Sequence, residues 1–155
     1  MSDDEVRWVL YVRADHRTGT IAALAGVFAT RGVNFDSLAT GEAAGGTGLV
    51  TVTFRANDRR QRMLVRSVER LAVVHSVRVR RADDLGVRAA AALHLPVDLE
   101  FVPPAHAGVR WSGRTHHGEP LLVEGSLVDV EVVVDAALAA GALAHALVIQ
   151  PPNVR

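Results

Sequence analysis

The sequence predicts an α+β chain, with a βαββαβ unit on an antiparallel sheet over residues 1–81 and a smaller, divergent α/β region over 82–155. Three observations carry this. In the first half, apolar residues alternate at period two in three segments, a fourth reads as a strand, and apolar residues recur at helical spacing in two segments between them. Near the end, a second strand–helix–strand pattern lies around Gly125 and Gly141. Charge also divides the chain, whose formal net charge is zero. Residues 1–81 hold 13 arginines against 8 acidic residues (+5), and residues 82–155 hold 4 against 9 (−5). That asymmetry fits two units whose faces meet different surroundings or attract each other.

In the first half, Val6, Trp8, Leu10 and Val12 alternate with Arg7, Val9, Tyr11 and Arg13, which is strand periodicity. The polar loop Asp15-His16-Arg17-Thr18-Gly19 follows. Ile21, Leu24, Ala25 and Phe28 then form an apolar helical stripe that Gly32 stops. Phe35 to Glu42 reads as a second strand, and Ala43 to Gly48 as a flexible connection. Val50, Val52 and Phe54 alternate with threonines in a third strand. Asn57 or Asp58 caps a second helix with Leu64, Val68 and Leu71 on one face. Val77 and Val79 mark the fourth strand. This order packs both helices on one face of the sheet.

The second half reads less directly. The alanine-rich stretch Asp83 to Leu93 predicts a helix, and Val97 to Val102 a strand stopped by Pro103-Pro104. Residues 105–120 show no period. Leu121 to Glu124 reads as a strand. Ser126 with Asp129 resembles a capping box ahead of the stripe Val130, Val133, Val134, Ala137 and Leu138, although five valines also suit a strand. Gly141 stops that helix, and Ala146 to Ile149 forms the last strand.

Composition excludes several chemistries. With no cysteine there is no disulfide, zinc–thiolate site or cysteine nucleophile. All 17 cations are arginine, so Walker-type phosphate loops and lysine Schiff bases are excluded. A neutral chain with 5% aromatics does not suit nucleic acid. No apolar run reaches membrane-spanning length and the start is acidic, which predicts a soluble cytoplasmic protein that does not engage membranes.

The run from Gly19 to Gly41, and above all Arg31-Gly32-Val33-Asn34-Phe35-Asp36-Ser37-Leu38, resembles the regulatory (small) subunit of acetolactate synthase. That family opens with a ferredoxin-like ACT domain. The likeness is gapless over 23 positions and runs more loosely to about Val79. Gly125 and Gly141, 16 residues apart, echo the family's second domain. Two family features are missing: a proline in the loop before Gly19, and an Arg-Thr-Gly motif near the end. The resemblance implies a homodimer formed through the ACT domain, with a branched-chain amino acid such as valine bound between paired loops. It also implies a partner, the catalytic subunit, which would own the thiamine, flavin and metal, so this chain would carry no cofactor and no catalytic residue.

The residues themselves suit such an effector. Unpaired N–H groups at a helix start attract a carboxylate, and a glycine lets it approach the backbone. Gly19, Thr20 and Asn34 supply polar groups, Ile21 and Phe35 apolar walls, and His16, or Asp15 if the loop shifts by one, stands at the family's Asn/Asp position. Plainer readings make Gly32 a helix C-cap and Gly19 and Asn34 turn residues. Arg62, Arg66 and Arg70, with Arg59 nearby, read as a solvated face ahead of a docking surface for an acidic partner. Gly45-Gly46-Thr47-Gly48 precedes a strand, so it fails as a phosphate loop. His106, His116, His117 and Glu119 gather in the irregular stretch, but no helical pair frames them as metal ligands or bases, while His75, His94 and His145 read as isolated. Two further functions remain open: a stand-alone amino-acid-sensing ACT module of another pathway, and a small enzyme using the histidine-bearing loop at 105–119.

Overall fold

The computed structural model describes residues 4–152, which divide into two compact units between Ala82 and Asp83. Unit 1 runs β1 (Val6–Ala14), α1 (Thr20–Thr30), β2 (Phe35–Ala43), β3 (Thr47–Ala56), α2 (Asp58–Glu69) and β4 (Val74–Arg81). Its antiparallel sheet has the order β2-β3-β1-β4, so β2 and β4 are the edges. Leu10 lies opposite Val52 on one side and Val79 on the other. These residues meet Leu24 and Phe28 of α1 and Leu64 and Val68 of α2 in one buried cluster, which places both helices on the same face.

Local chemistry sets the helix ends. Asn57 takes the cap of α2, accepting the Arg60 N–H at 2.9 Å. α1 closes through paired bonds, Gly32 N–H to Ala29 O at 3.1 Å and Val33 N–H to Phe28 O at 2.9 Å. The Arg60 guanidinium also donates to Gly32 O at 2.7 Å, bringing a cation to the negative end of that helix.

Unit 2 contains β5 (Arg88–His94), β6 (Val109–Ser112), a single 310 turn (Thr115–His117), β7 (Leu121–Ser126), α3 (Leu127–Ala140) and β8 (Ala144–Ile149). The strand order β6-β7-β5-β8 repeats that of unit 1, with the irregular segment 95–108 in place of the first helix. The core side of α3 carries Val130, Val133, Val134 and Ala137, all buried, as are Ala89, Leu93, Leu121 and Val123 of the sheet. The Ser126 hydroxyl accepts the Asp129 N–H at 3.3 Å, so the capping signal outweighs the β preference of the valines.

Two expectations fail here. The alanine-rich segment is a strand, because Ala89 to Leu93 pair with β7 on one side and β8 on the other. Tertiary pairing overrides alanine's helix propensity. Val97 to Val102 joins no ladder. Val97 and Val102 are 61% and 67% exposed, and the flanking Pro96, Pro103 and Pro104 cannot donate to a neighbouring strand. The stretch without a period holds the short β6 and the 310 turn. Among the described residues no helix is long and apolar enough to cross a membrane.

Glu124 ties three strands together. Its Oε2 accepts from Arg110 Nη2 at 2.6 Å and Nε at 2.9 Å, and its Oε1 from Arg88 at 3.4 Å. The Arg110 bonds first, then those from Arg88, hold its carboxyl below the usual carboxylate range. A carboxylate with a depressed folded pKa stabilises above its unfolded pKa, and that contribution fades as pH falls through the folded value. Glu124→Gln is therefore expected to flatten the acid limb of the unfolding profile of unit 2 while leaving its shape above pH ~5 unchanged. Urea midpoints measured from pH 3 to 8 check this.

Candidate functional site

The loop between β1 and α1 is anchored at several points. Asp15 N–H donates to Val73 O at 2.8 Å, and the Asp15 carboxylate meets His75 Nε2 at 2.6 Å and Arg17 Nε at 3.7 Å. Thr20, 5% exposed, donates from its hydroxyl to Asp15 O at 2.9 Å. Gly19 is the N-cap of α1 with φ +93°, a left-handed conformation that suits glycine. Having no side chain, it leaves the first-turn N–H groups without a side-chain acceptor at the positive end of the helix.

Beside this helix start lies a cavity of 350 Å³. One wall is Asp15, His16, Arg17, Thr20 and Ile21; the other is Thr40 to Glu42 of β2, with Leu49 and Val50 of β3. His16 Nδ1 approaches Glu42 Oε1 at 3.9 Å across the mouth. The cavity thus offers helix N–H groups and an arginine for an anion, carboxylates for a cation and Ile21 for an apolar group.

Five of the seven candidate residues gather here: Asp15, His16, Thr20 and Ile21 in the wall, and Gly19 at the adjoining cap. Asn34 and Phe35 do not join them within one chain. They follow the far end of α1, roughly 16 Å away for an 11-residue helix. Both are exposed, and Phe35 stacks edge-on against Phe28 with centroids 5.8 Å apart. His75 is not isolated as expected: the β1–β4 pairing brings it to Asp15. Glu42 and Thr40 also went unnoticed in the sequence, because only the β2–β3 hairpin carries them back to the loop.

Thr20→Val keeps the size of the side chain but loses its bond to Asp15. It is expected to cost unit 1 about 1 kcal/mol in urea unfolding, the net worth of one part-buried hydrogen bond, since the Asp15 carbonyl keeps the Arg17 N–H at 3.1 Å.

The other candidate clusters lie apart from this cavity. Arg59, Arg62 and Arg66 are exposed on α2, and Arg70, also exposed, is its C-cap. Glu119 accepts from the Arg114 backbone N–H at 2.8 Å and its guanidinium at 2.9 Å. Those bonds hold its carboxyl below the ordinary range. His116 and His117 pack ring to ring at 4.4 Å. Among the described residues no group of three His, Asp or Glu is placed to hold a metal ion.

No family model and no curated protein matches the chain. Among solved structures, it is similar to the acetolactate synthase small subunit from Thermotoga maritima, at 17% identity and a TM-score of 0.65, covering 96% of this chain and 99% of that one. It is also similar to the ligand-free regulatory subunit of aspartate kinase from Thermus thermophilus, at 15% identity and a TM-score of 0.48, covering 90% and 94%. The first of these likenesses shows that the chain shares the fold of that small subunit, two ferredoxin-like α+β units in succession, over nearly its whole length.

Proposed function

We propose that this chain is a non-catalytic, amino-acid-sensing regulatory subunit. It pairs through unit 1 with a second copy, binds a branched-chain amino acid at that junction, and modulates an acetolactate synthase catalytic subunit in the cytoplasm. The observation that carries this reading is the cavity at the uncapped start of α1, one wall of which is the edge strand β2.

An edge strand presents unpaired main-chain donors and acceptors to another chain. Antiparallel pairing of β2 with its twin, centred on Leu38, carries Asn34 and Phe35 of one copy to the Thr40–Glu42 end of the other, past the irregularity between Phe35 and Ser37. This register supplies what a single chain lacks, because the second copy's Asn34 and Phe35 arrive at the cavity that already holds Gly19, Thr20 and Ile21. The helix N–H groups take the effector carboxylate, Glu42 and the Asn34 carbonyl its ammonium, and Ile21 and Phe35 its side chain. Regulation requires the effector to favour one conformational state over another, since equal affinity shifts nothing.

Ile21→Asp separates this site from mere folding. An acidic residue in the first turn favours a helix, yet here it fills the position of the effector carboxylate. Wild type is expected to gain about 2.7 kcal/mol of stability in valine at a hundred times its dissociation constant, and Ile21→Asp essentially none. Thermal shift against valine, leucine and isoleucine measures this, and synthase assays with and without the chain measure modulation. No stabilisation by any of the three amino acids removes the sensing role.

A further inference from the structure

Four strand edges bound the two sheets. The reading above assigns β2 to the twin of unit 1. β4 carries Arg78, Arg80 and Arg81, charges of the kind that mark an edge kept unpaired, and the β1–β4 register breaks at Arg13/Ala14. β6 is only four residues long and includes Arg110. β8 has none of these devices: Ala144-His145-Ala146-Leu147-Val148-Ile149 contains no Asp, Glu, Arg or proline and pairs with β5 alone. Natural edges are shortened, charged or bulged when they must stay unpaired.

We infer that β8 is a second self-association surface, pairing antiparallel with β8 of another copy about a two-fold axis through Ala146. Gln150 N–H donates inward to Arg88 O. By the alternation of an antiparallel ladder, the N–H and C=O groups of His145, Leu147 and Ile149 therefore point to the free edge. Centring on Ala146 sets His145 opposite Leu147, so outward groups meet outward groups and the two histidines stay apart. On the other face Ala144 meets Val148, small against large, and Ala146 meets itself. A heterologous partner would have to mirror this pattern, whereas a second copy supplies it by symmetry. The face above the ladder is open as well: a shallow depression of 830 Å³ spans Ala90, Ala92, Leu122, Ala146 and Val148, with Leu122 49% and Val148 56% exposed. Pairing through β8 joins two such depressions into one continuous apolar floor. Because this interface uses no residue of unit 1, it stands or falls separately from the amino-acid site.

The natural absence of cysteine makes the test direct. In an antiparallel pair, opposed Cα atoms lie about 4.5–5.5 Å apart, within disulfide range. Ala146→Cys is therefore expected to form a covalent dimer within minutes in a glutathione redox buffer at micromolar protein. Ala144→Cys serves as the control. It is equally exposed, but roughly 14 Å from its twin in this register, and it should stay at least tenfold slower. Equal rates for the two would overturn the assignment, since collision alone would then account for the link.

Discussion

Phe28→Ala should lower the stability of unit 1 by about 3–5 kcal/mol, a large share of the 5–15 kcal/mol that holds a typical domain together. Phe28 is 2% exposed and sits at the centre of an aromatic trio. Its ring meets Phe54 edge-on at 5.5 Å and Phe35 edge-on at 5.8 Å. Truncation forfeits the transfer energy of the ring, both edge-to-face contacts and the packing of whatever fails to collapse into the space. The loss bears on function because α1 is held to the sheet chiefly by Leu24 and Phe28, and the start of α1 is one wall of the cavity. Phe35→Ala provides the contrast. Phe35 is 42% exposed, so its truncation should cost about 1 kcal/mol or less while abolishing the valine response if its ring completes the twin's site. Urea unfolding followed at Trp8, with Trp111→Phe silencing the only other tryptophan, reads unit 1 alone. Trp8 suits the purpose: it is partly buried and its indole donates to Ala56 O at 3.0 Å.

Unit 1 was legible in the sequence because β1, β3 and β4 alternate and each helix carries its own stop or cap, while β2 does not alternate and its register breaks between Phe35 and Ser37. Leu10 and Val12, Val50 and Val52, Leu64 and Val68 were assigned to core faces by period alone, and all are buried. The candidate site was only half legible. Local pattern could find Gly19, Thr20 and Ile21, since a loop entering a helix has a local signature. Glu42 and His75 reach the loop through strand pairings that join residues 26 and 60 positions apart in sequence, and no local signal marks them. In unit 2, alanine misled for a physical reason. In a strand flanked on both sides, backbone pairing does the work, and a small side chain lets α3 lie close to the sheet. Propensity is a weak prior wherever tertiary pairing is available.

Gly113→Ala is the second large effect, at a residue the sequence leaves anonymous within a polar, irregular stretch. Gly113 has φ +117°, and a Cβ placed there would lie 2.1 Å from the carbonyl oxygen of Pro120 and 3.1 Å from its carbonyl carbon. Both obstacles are backbone, so no rotamer relieves them. The chain must instead shift at the end of β6 or the start of β7, the ladder that places Arg110 against Glu124. A strained dihedral costs about 1–3 kcal/mol by itself, and displacing the strand end adds to it, so a loss of roughly 3 kcal/mol or more from unit 2 is expected. Gly118→Ala is the matched control. It too has positive φ (+79°) but open space around the new methyl, so only the backbone term, about 1–2 kcal/mol, should appear. Trp111, two residues before Gly113, reports both variants when Trp8 is replaced by Phe. Because the proposed amino-acid site uses residues of unit 1 alone, the valine-induced stabilisation read at Trp8 should survive Gly113→Ala. If it disappears along with the Trp111 signal, the effector does not act on the β1–α1 cavity alone.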